Sequence, residues 1–463
     1  MTTVRRHDLP ERALLVGVEF DRKGELTLTE RMTELRELAV SAGAEVVGEI
    51  RQRRGRPEPA TLIGPGKVEE VAAARQQLAA DVVIFDHDLT PAQQRNLERA
   101  IGGKVIDRTQ LILDIFAARA RTREGQLQVE LAQLQYLLPR LAGMGEALSR
   151  LGGGIGTRGP GETRLEVDRR RIRRRITELR RLLAEVRRHR AIQRKRRERT
   201  GVPVVALVGY TNAGKTTLLR ALVAAYGDPR HLPPAGRDRL FDTLDPTVRR
   251  VEWPGVGPVL VTDTVGFIHD LPPHLIAAFR ATLEEVVDAD VLLHVVDASQ
   301  SRWPADVRAV DRVLAEIGAD RQPRMVVFNK IDLLGTPGTP GELTGTGDEA
   351  TPAGPPGYAG HRGPVVRVSA LTGAGLDELA AQVGEILRQR YRRVVLAIPF
   401  ARANLLARVH AAGRVVEERA TDHGWTVVAE LPLAEAGRLE REGWVRDGVE
   451  ACPEVGEKGG IPR

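Results

Sequence analysis

The sequence predicts an α/β protein, and three observations predict it. Short apolar runs alternate with helical patterns over about the first 120 residues. A second apolar run, Val204-Val205-Ala206-Leu207-Val208, passes through a glycine-rich turn into a helical pattern at Leu218. Between them the apolar period changes to three and four, which marks a helical segment separating two α/β regions.

In the first region, residues 13–18 read as a strand, about 29–42 as a helix and 45–48 as a strand. A helix begins near Gly66, residues 81–86 form a strand, and Pro91 opens a helix at its favoured first position. This alternation implies a small domain, residues 1–120, with a mostly parallel sheet. Gly64-Pro65-Gly66-Lys67 lacks full phosphate-loop spacing and reads as a turn.

Leu127, Leu131, Leu134, Leu138 and Leu141 recur three and four apart, as do Ile172, Ile176, Leu179, Leu183 and Val186. Two such stripes predict an antiparallel helical hairpin over residues 121–200. Its second helix is dense in arginine at 169–171, 173–175, 187–188 and 194–197. Such a run is either a solvated face or a phosphate-binding surface; its length and mostly single sign raise the nucleic-acid reading. The connection at 152–162 is mostly glycine, serving either as a hinge or as bare backbone to press on RNA or a nucleotide.

The third region, residues 201–392, carries the chemistry. Gly209-Tyr210-Thr211-Asn212-Ala213-Gly214-Lys215-Thr216-Thr217 sits between strand and helix, as a phosphate-binding loop must. Its backbone N–H groups and the following helix N-terminus favour a polyphosphate. Lys215 is placed to reach the β and γ phosphates as a catalytic group. Thr216 is placed to hold magnesium.

The loop alone does not choose between ATP and GTP. Asn329-Lys330-Ile331-Asp332 follows a further strand and makes that choice. The Asp332 carboxylate can accept from N1–H and the 2-amino group of guanine, whereas adenine would leave it unpaired. Lys330 can lie along the base, and Asn329 can tie this loop to the phosphate loop. Asp263-Thr264-Val265-Gly266 ends a strand; Asp263 reads as a water-mediated magnesium contact and Gly266 as the γ-phosphate sensor. Ser369-Ala370-Leu371 offers backbone to the guanine oxygen.

Phe241-Asp242-Thr243-Leu244-Asp245 and Thr247 form the first switch; spacing does not decide which threonine closes on magnesium. Phe267 stands where many GTPases place a water-orienting glutamine. Slow intrinsic hydrolysis is therefore expected. Another part of the chain, a potassium-like cation or a partner would then supply the missing group.

Residues 334–364 are rich in Thr, Pro, Gly and Glu and read as an inserted, low-complexity stretch. After it, residues 393–463 predict a small α+β appendage, with strands near 394–398 and 425–429 flanking a helix.

Composition sets limits on function. A chain of 463 residues exceeds one core. A single cysteine, Cys452, excludes a disulfide framework and suits a reducing cytoplasm. No apolar run reaches membrane-spanning length, and the first residues lack a signal-peptide core. The net charge of +7 points to nucleic acid or an anionic surface. Aromatic content of 4% argues against base stacking on single strands, which leaves backbone contact to structured RNA.

The segments GYTNAGKTT, LFDTLDPT, DTVGF and NKID together resemble the HflX family of GTPases, as do RTREGQLQVELAQL and GGGIGTRGPGE. The resemblance runs from about Leu14 to Arg390. It implies a ribosome-associated GTPase; the chain is separately expected to be monomeric and cytoplasmic, with room for peripheral membrane association. Its partners would be GTP or GDP and the large ribosomal subunit with its RNA, without DNA specificity. Members are linked to splitting stalled or idle ribosomes under stress. The resemblance favours Thr243, with Thr216, as the magnesium ligands. Two other readings stay open: an RNA-binding module with an incidental nucleotide, and a GTPase serving a different client.

Overall fold

Leu14, Leu15, Val16 and Val18 are all buried in the first strand, so both its faces are covered, as a parallel sheet between helices requires. The computed structural model describes residues 10–20, 26–141, 164–200, 202–233, 240–241, 243–244, 246–269, 283, 285–334, 363–389 and 391–446. The first sheet is built from β1 (Arg12–Phe20), β2 (Glu45–Arg54), β3 (Val82–Phe85) and β4 (Lys104–Asp107). Its order is β2-β1-β3-β4, all parallel. The crossovers carry α1 (Leu28–Ser41), α2 (Pro65–Gln77) and α3 (Pro91–Ile101), and α4 (Arg108–Arg119) follows β4. Thr27 with Glu30 and Thr90 with Gln93 form capping boxes that start α1 and α3.

Two differences from the sequence reading have local causes. β2 runs on to Arg54, past the apolar stretch. It is an edge strand, where charged side chains are tolerated because one side has no neighbour. β4 holds four residues, too few to show a period.

α5 (Arg123–Leu141) and α6 (Arg164–Thr200) form the hairpin. Leu127 and Leu131 pack on Ile176, Leu179 and Leu183. Glu130 pairs with Arg175 and Glu124 with Arg190, each at 2.7 Å, so the helices run antiparallel. The other face of α5 is buried as well: Val129, Ala132 and Tyr136 share a core with Leu35 and Leu38 of α1 and Phe116 of α4. Arg140 reaches Asp107 at 2.9 Å, fastening α5 to the end of β4. Arg170, Arg171, Arg173, Arg174, Arg180, Arg181, Arg187 and Arg188 are exposed along α6. The glycine-rich connection and the side chains of 194–197 lie outside the described residues.

The six-stranded sheet has the order β10-β9-β8-β5-β7-β6. Its strands are β5 (Val204–Gly209), β6 (Thr247–Trp253), β7 (Gly257–Asp263), β8 (Val291–Asp297), β9 (Arg324–Asn329) and β10 (Val365–Arg367). All pairings are parallel except β6 with β7. α7 (Lys215–Tyr226), α8 (Trp303–Ile317) and α9 (Leu376–Arg388) cover it. β5 lies mid-sheet, so its carboxyl end opens at the crevice where α/β sheets bind ligands. Residues 335–362, nearly all of the insertion, lie outside the described residues.

The last sheet, β11-β13-β12, is antiparallel and combines β11 (Tyr391–Pro399), β12 (Arg414–Thr421) and β13 (Gly424–Pro432) with α10 (Ala403–Ala412) and α11 (Leu433–Arg441). β12 was not foreseen, because its charged, mostly exposed residues show no apolar alternation. Cys452 lies outside the described residues.

Candidate active site: a phosphate loop shared between two domains

The loop leaves β5 at Gly209 and curls into α7 at Gly214, whose φ of 90° is left-handed. A Cβ on Gly214 would collide with the Asn329 amide. That amide donates to the Ala213 carbonyl at 2.9 Å and accepts from the Ala370 N–H at 2.9 Å. One asparagine, the last residue of β9, thus joins three loops. Thr211 N–H donates to the Phe267 carbonyl at 2.7 Å, and Phe267 N–H to the Gly209 carbonyl at 3.1 Å. This stitches the phosphate loop to the second switch. Gly266 lies against Thr211 Cα and Lys215 Nζ, with no room for a Cβ.

Lys215 is buried, and its Nζ donates to the carbonyls of Gly209 and Tyr210 at 3.0 and 2.8 Å. Burial pulls its pKa down to about 8, and Asp263 opposes that shift. Burial likewise raises the Asp263 carboxyl, against Lys215 and the hydroxyls of Thr216 and Thr243. A triphosphate bound here would supply further negative charge to this buried lysine. Asn212 sits at φ 62°, and Thr217 begins the body of α7.

Thr216 Oγ1 donates to Asp263 Oδ2 at 2.6 Å, Thr243 Oγ1 to the same oxygen at 2.9 Å, and the two hydroxyls lie 2.8 Å apart. Asp263 Oδ1 is buried with no hydrogen-bond partner among the described residues. These are oxygen donors with an unpaired carboxylate atom, which fits a hard cation such as magnesium. Thr247 instead opens β6, with its backbone paired to Asp263. The geometry therefore separates two threonines that spacing left equivalent. Thr264 Oγ1 donates to the Leu207 carbonyl at 2.6 Å, and Val265 is buried beside it. Asp242 and Asp245 lie outside the described residues.

At the opposite end, Ser369 Oγ donates to Asp332 Oδ1 at 2.6 Å and aims the carboxylate. Ile331 and Asp332 start a short helical turn. Leu371 is exposed. Lys330 adopts φ 65°, and its Nζ pairs with Asp297 Oδ2 at 2.7 Å. Ser299 fixes the other Asp297 oxygen through N–H and Oγ, at 3.0 and 2.6 Å. The sequence reading missed Asp297; an aspartate at the end of an apolar strand was its one signal.

It also missed the N-terminal domain's part. Phe241 is buried edge-on against Phe116 of α4, with ring centroids 4.6 Å apart. Leu240 N–H donates to Ser41 Oγ at 3.0 Å, and Leu244 joins the same core. The Tyr210 hydroxyl donates to Glu34 of α1 and accepts from His269 N–H at 2.9 Å. Arg108 pairs with Glu34 at 3.0 Å and donates to the His269 carbonyl at 3.1 Å. Burial alone would raise the Glu34 carboxyl, but Arg108 and the phenol hold it below its usual value. Burial and Glu34 push the Tyr210 phenol well up, so it stays a donor.

A glycine loop between strand and helix, a strand-end aspartate held by Ser369 and a threonine hydroxyl over Thr216 and Asp263 fit the parts of a GTP-hydrolysing site. Comparison with known proteins agrees. The family model for the GTP-binding GTPase N-terminal region matches residues 29–117, that for the GTP-binding GTPase middle region 119–197, and that for the 50S ribosome-binding GTPase 204–330. The chain is similar to the GTPase HflX of Caldanaerobacter subterraneus, at 46% identity over 93% of each chain. It is similar to that of Alkalihalophilus pseudofirmus at 50%, over 72% of this chain and 76% of the relative. The Escherichia coli GTPase HflX matches at 41%, over 94% of this chain and 96% of its own length. The chain belongs to the HflX family of GTPases and is itself a GTPase.

Proposed function

We propose that this GTPase is a monomeric, cytoplasmic factor that binds the large ribosomal subunit in its GTP state and acts in splitting or rescuing stalled or idle ribosomes. The observation that carries the proposal is the docking of the N-terminal domain on the parts of the site that sense the γ phosphate. Phe116 holds Phe241, Ser41 holds Leu240, and Arg108 holds the His269 backbone. Loss of the γ phosphate loosens both switches, and with them the surface on which this domain rests. The α5–α6 hairpin shares the N-terminal core, so the exposed arginines of α6 move with it. They offer cations for ribosomal RNA phosphates. The description of the matching family model, a 50S ribosome-binding GTPase, supports the same partner.

In this reading Asp332, aimed by Ser369, reads the guanine edge, and Lys330 lies along the ring. Lys215 and the loop N–H groups hold the phosphates. Thr216, Thr243 and, through water, Asp263 would hold magnesium, which would supply positive charge against the phosphates. Phe267 is buried in the core with Val208 and Leu283, so it orients no water. Hydrolysis is therefore slow until another group reaches the site.

Co-sedimentation with purified large subunits tests the reading. The expected result is pelleting with a non-hydrolysable GTP analogue and little with GDP, and loss of that contrast in Lys215→Ala. Equal pelleting in both nucleotides would overturn it.

A further inference from the structure

Tyr210 stands in the phosphate loop, yet its side chain points into the N-terminal domain. Its hydroxyl belongs to a closed ring of three hydrogen bonds and one ion pair. Tyr210 donates to Glu34, Arg108 pairs with the other Glu34 oxygen at 3.0 Å, and Arg108 donates to the His269 carbonyl at 3.1 Å. His269 N–H then returns to the Tyr210 hydroxyl at 2.9 Å. Every side chain in the ring is buried, with Glu34 at 0%, Tyr210 at 3% and Arg108 at 6% exposure. The ring is braced from outside. His269 Nε2 lies 2.9 Å from Asp306 Oδ1 on α8, and the Arg302 guanidinium lies 5.5 Å from the Tyr210 ring centroid.

The same residue faces the chemistry with its backbone. The Tyr210 carbonyl accepts from Lys215 Nζ at 2.8 Å. The next residue, Thr211, bonds the Phe267 carbonyl two positions before His269. A displacement of the phenol therefore reaches Lys215 through one carbonyl and the second switch through one N–H. These groups are buried, so an unmade bond there is costly.

We propose that Tyr210 is a positioning residue for GTP hydrolysis: its phenol, held by the Glu34–Arg108 pair of the N-terminal domain, sets Lys215 and the segment after Gly266 in register. The N-terminal domain is then a structural part of the hydrolytic site, even with no ribosome present. The ring sits on the switch segment and not on the base-binding loops. Its loss therefore acts on what the γ phosphate organises and leaves guanine recognition alone.

Tyr210→Phe removes one hydroxyl and keeps the ring packing. Glu34→Gln keeps the shape and an acceptor but removes the charge facing Arg108. With the full-length chain and no ribosomes, each is expected to lower kcat about tenfold, the rate equivalent of one buried hydrogen bond. KM for GTP and the preference for GTP over ATP should stay near the parent values. The double variant should fall no more than about twofold below either single one, because both break the same ring. Parent-like kcat in Tyr210→Phe would overturn the proposal. So would additive losses, or a lowered melting temperature with kcat intact, which is the result expected of a contact that only glues two domains. The assay contains no ribosomes, so failure here is distinguishable from failure of the co-sedimentation test.

Discussion

The two ends of the nucleotide site are built differently. At the guanine end the contacts among the described residues lie within one domain: Ser369 aims Asp332, Asp297 holds Lys330, and Asn329 links its loop to Ala213 and Ala370. At the phosphate end the contacts cross to another domain. Phe116 meets Phe241, Ser41 meets Leu240, and Glu34 meets Tyr210. The guanine end must read the same base in every state of the cycle, so insulation suits it. On the proposed reading the phosphate end changes with the γ phosphate, and a second domain resting on it can respond to that change.

Substitutions can break or sharpen this contrast. The largest effect is expected from Phe241→Ala, which empties the interdomain contact. Removal of a buried phenylalanine costs about 3 kcal/mol, read as a lower urea midpoint for the chain, while GTP-over-ATP preference is kept. Preference lost together with stability would merge the two ends. Asp332→Asn does the reverse. It replaces the acceptor for two guanine donors, so GTP binding should weaken about a hundredfold in a titration calorimeter, with the unfolding midpoint unchanged.

pH separates the ends next. Burial holds Lys215 near a pKa of about 8 in the nucleotide-free chain. Phosphates require the ammonium form. GTP affinity should therefore be level below pH 8 and fall up to about tenfold per unit above it. The folded state binds fewer protons than the unfolded one between about 8 and the free lysine value of 10.5. This residue's contribution to stability therefore rises with pH across that window. Calorimetry at pH 7 and pH 9 checks the affinity; a flat profile would mean Lys215 stays charged when free. The smallest effect belongs to Ser369→Ala, which frees the Asp332 carboxylate to turn. About a fivefold loss of GTP affinity is expected, with parent kcat, the net worth of one ordinary hydrogen bond.

Legibility followed the same divide. Asp332, Asn329, Lys215 and Thr216 were readable because each sits at a strand end or in a glycine-rich turn, where a few neighbouring residues set the backbone. Thr243 and Thr247 were equivalent by spacing. They parted once Thr247 was drawn into a strand beside Asp263 and Thr243 was left over the Thr216 hydroxyl. Phe241 carried a nucleotide-site expectation from its place in the first switch, and its ring lies against Phe116. Glu34 and Arg108 gave no signal at all. On α1 and α4 they look like ordinary surface charges until a second domain buries them.

The order of motifs along the chain determined by itself that a guanine nucleotide is bound and hydrolysed, because phosphate loops, strand-end carboxylates and helix starts arise from contacts between near neighbours in sequence. Only the tertiary structure decided which threonine faces Asp263, what steadies Asp332 and Lys330, and which domain grips the switches. Those outcomes join residues far apart along the chain, and no local periodicity encodes a contact whose two halves meet only after both domains have folded.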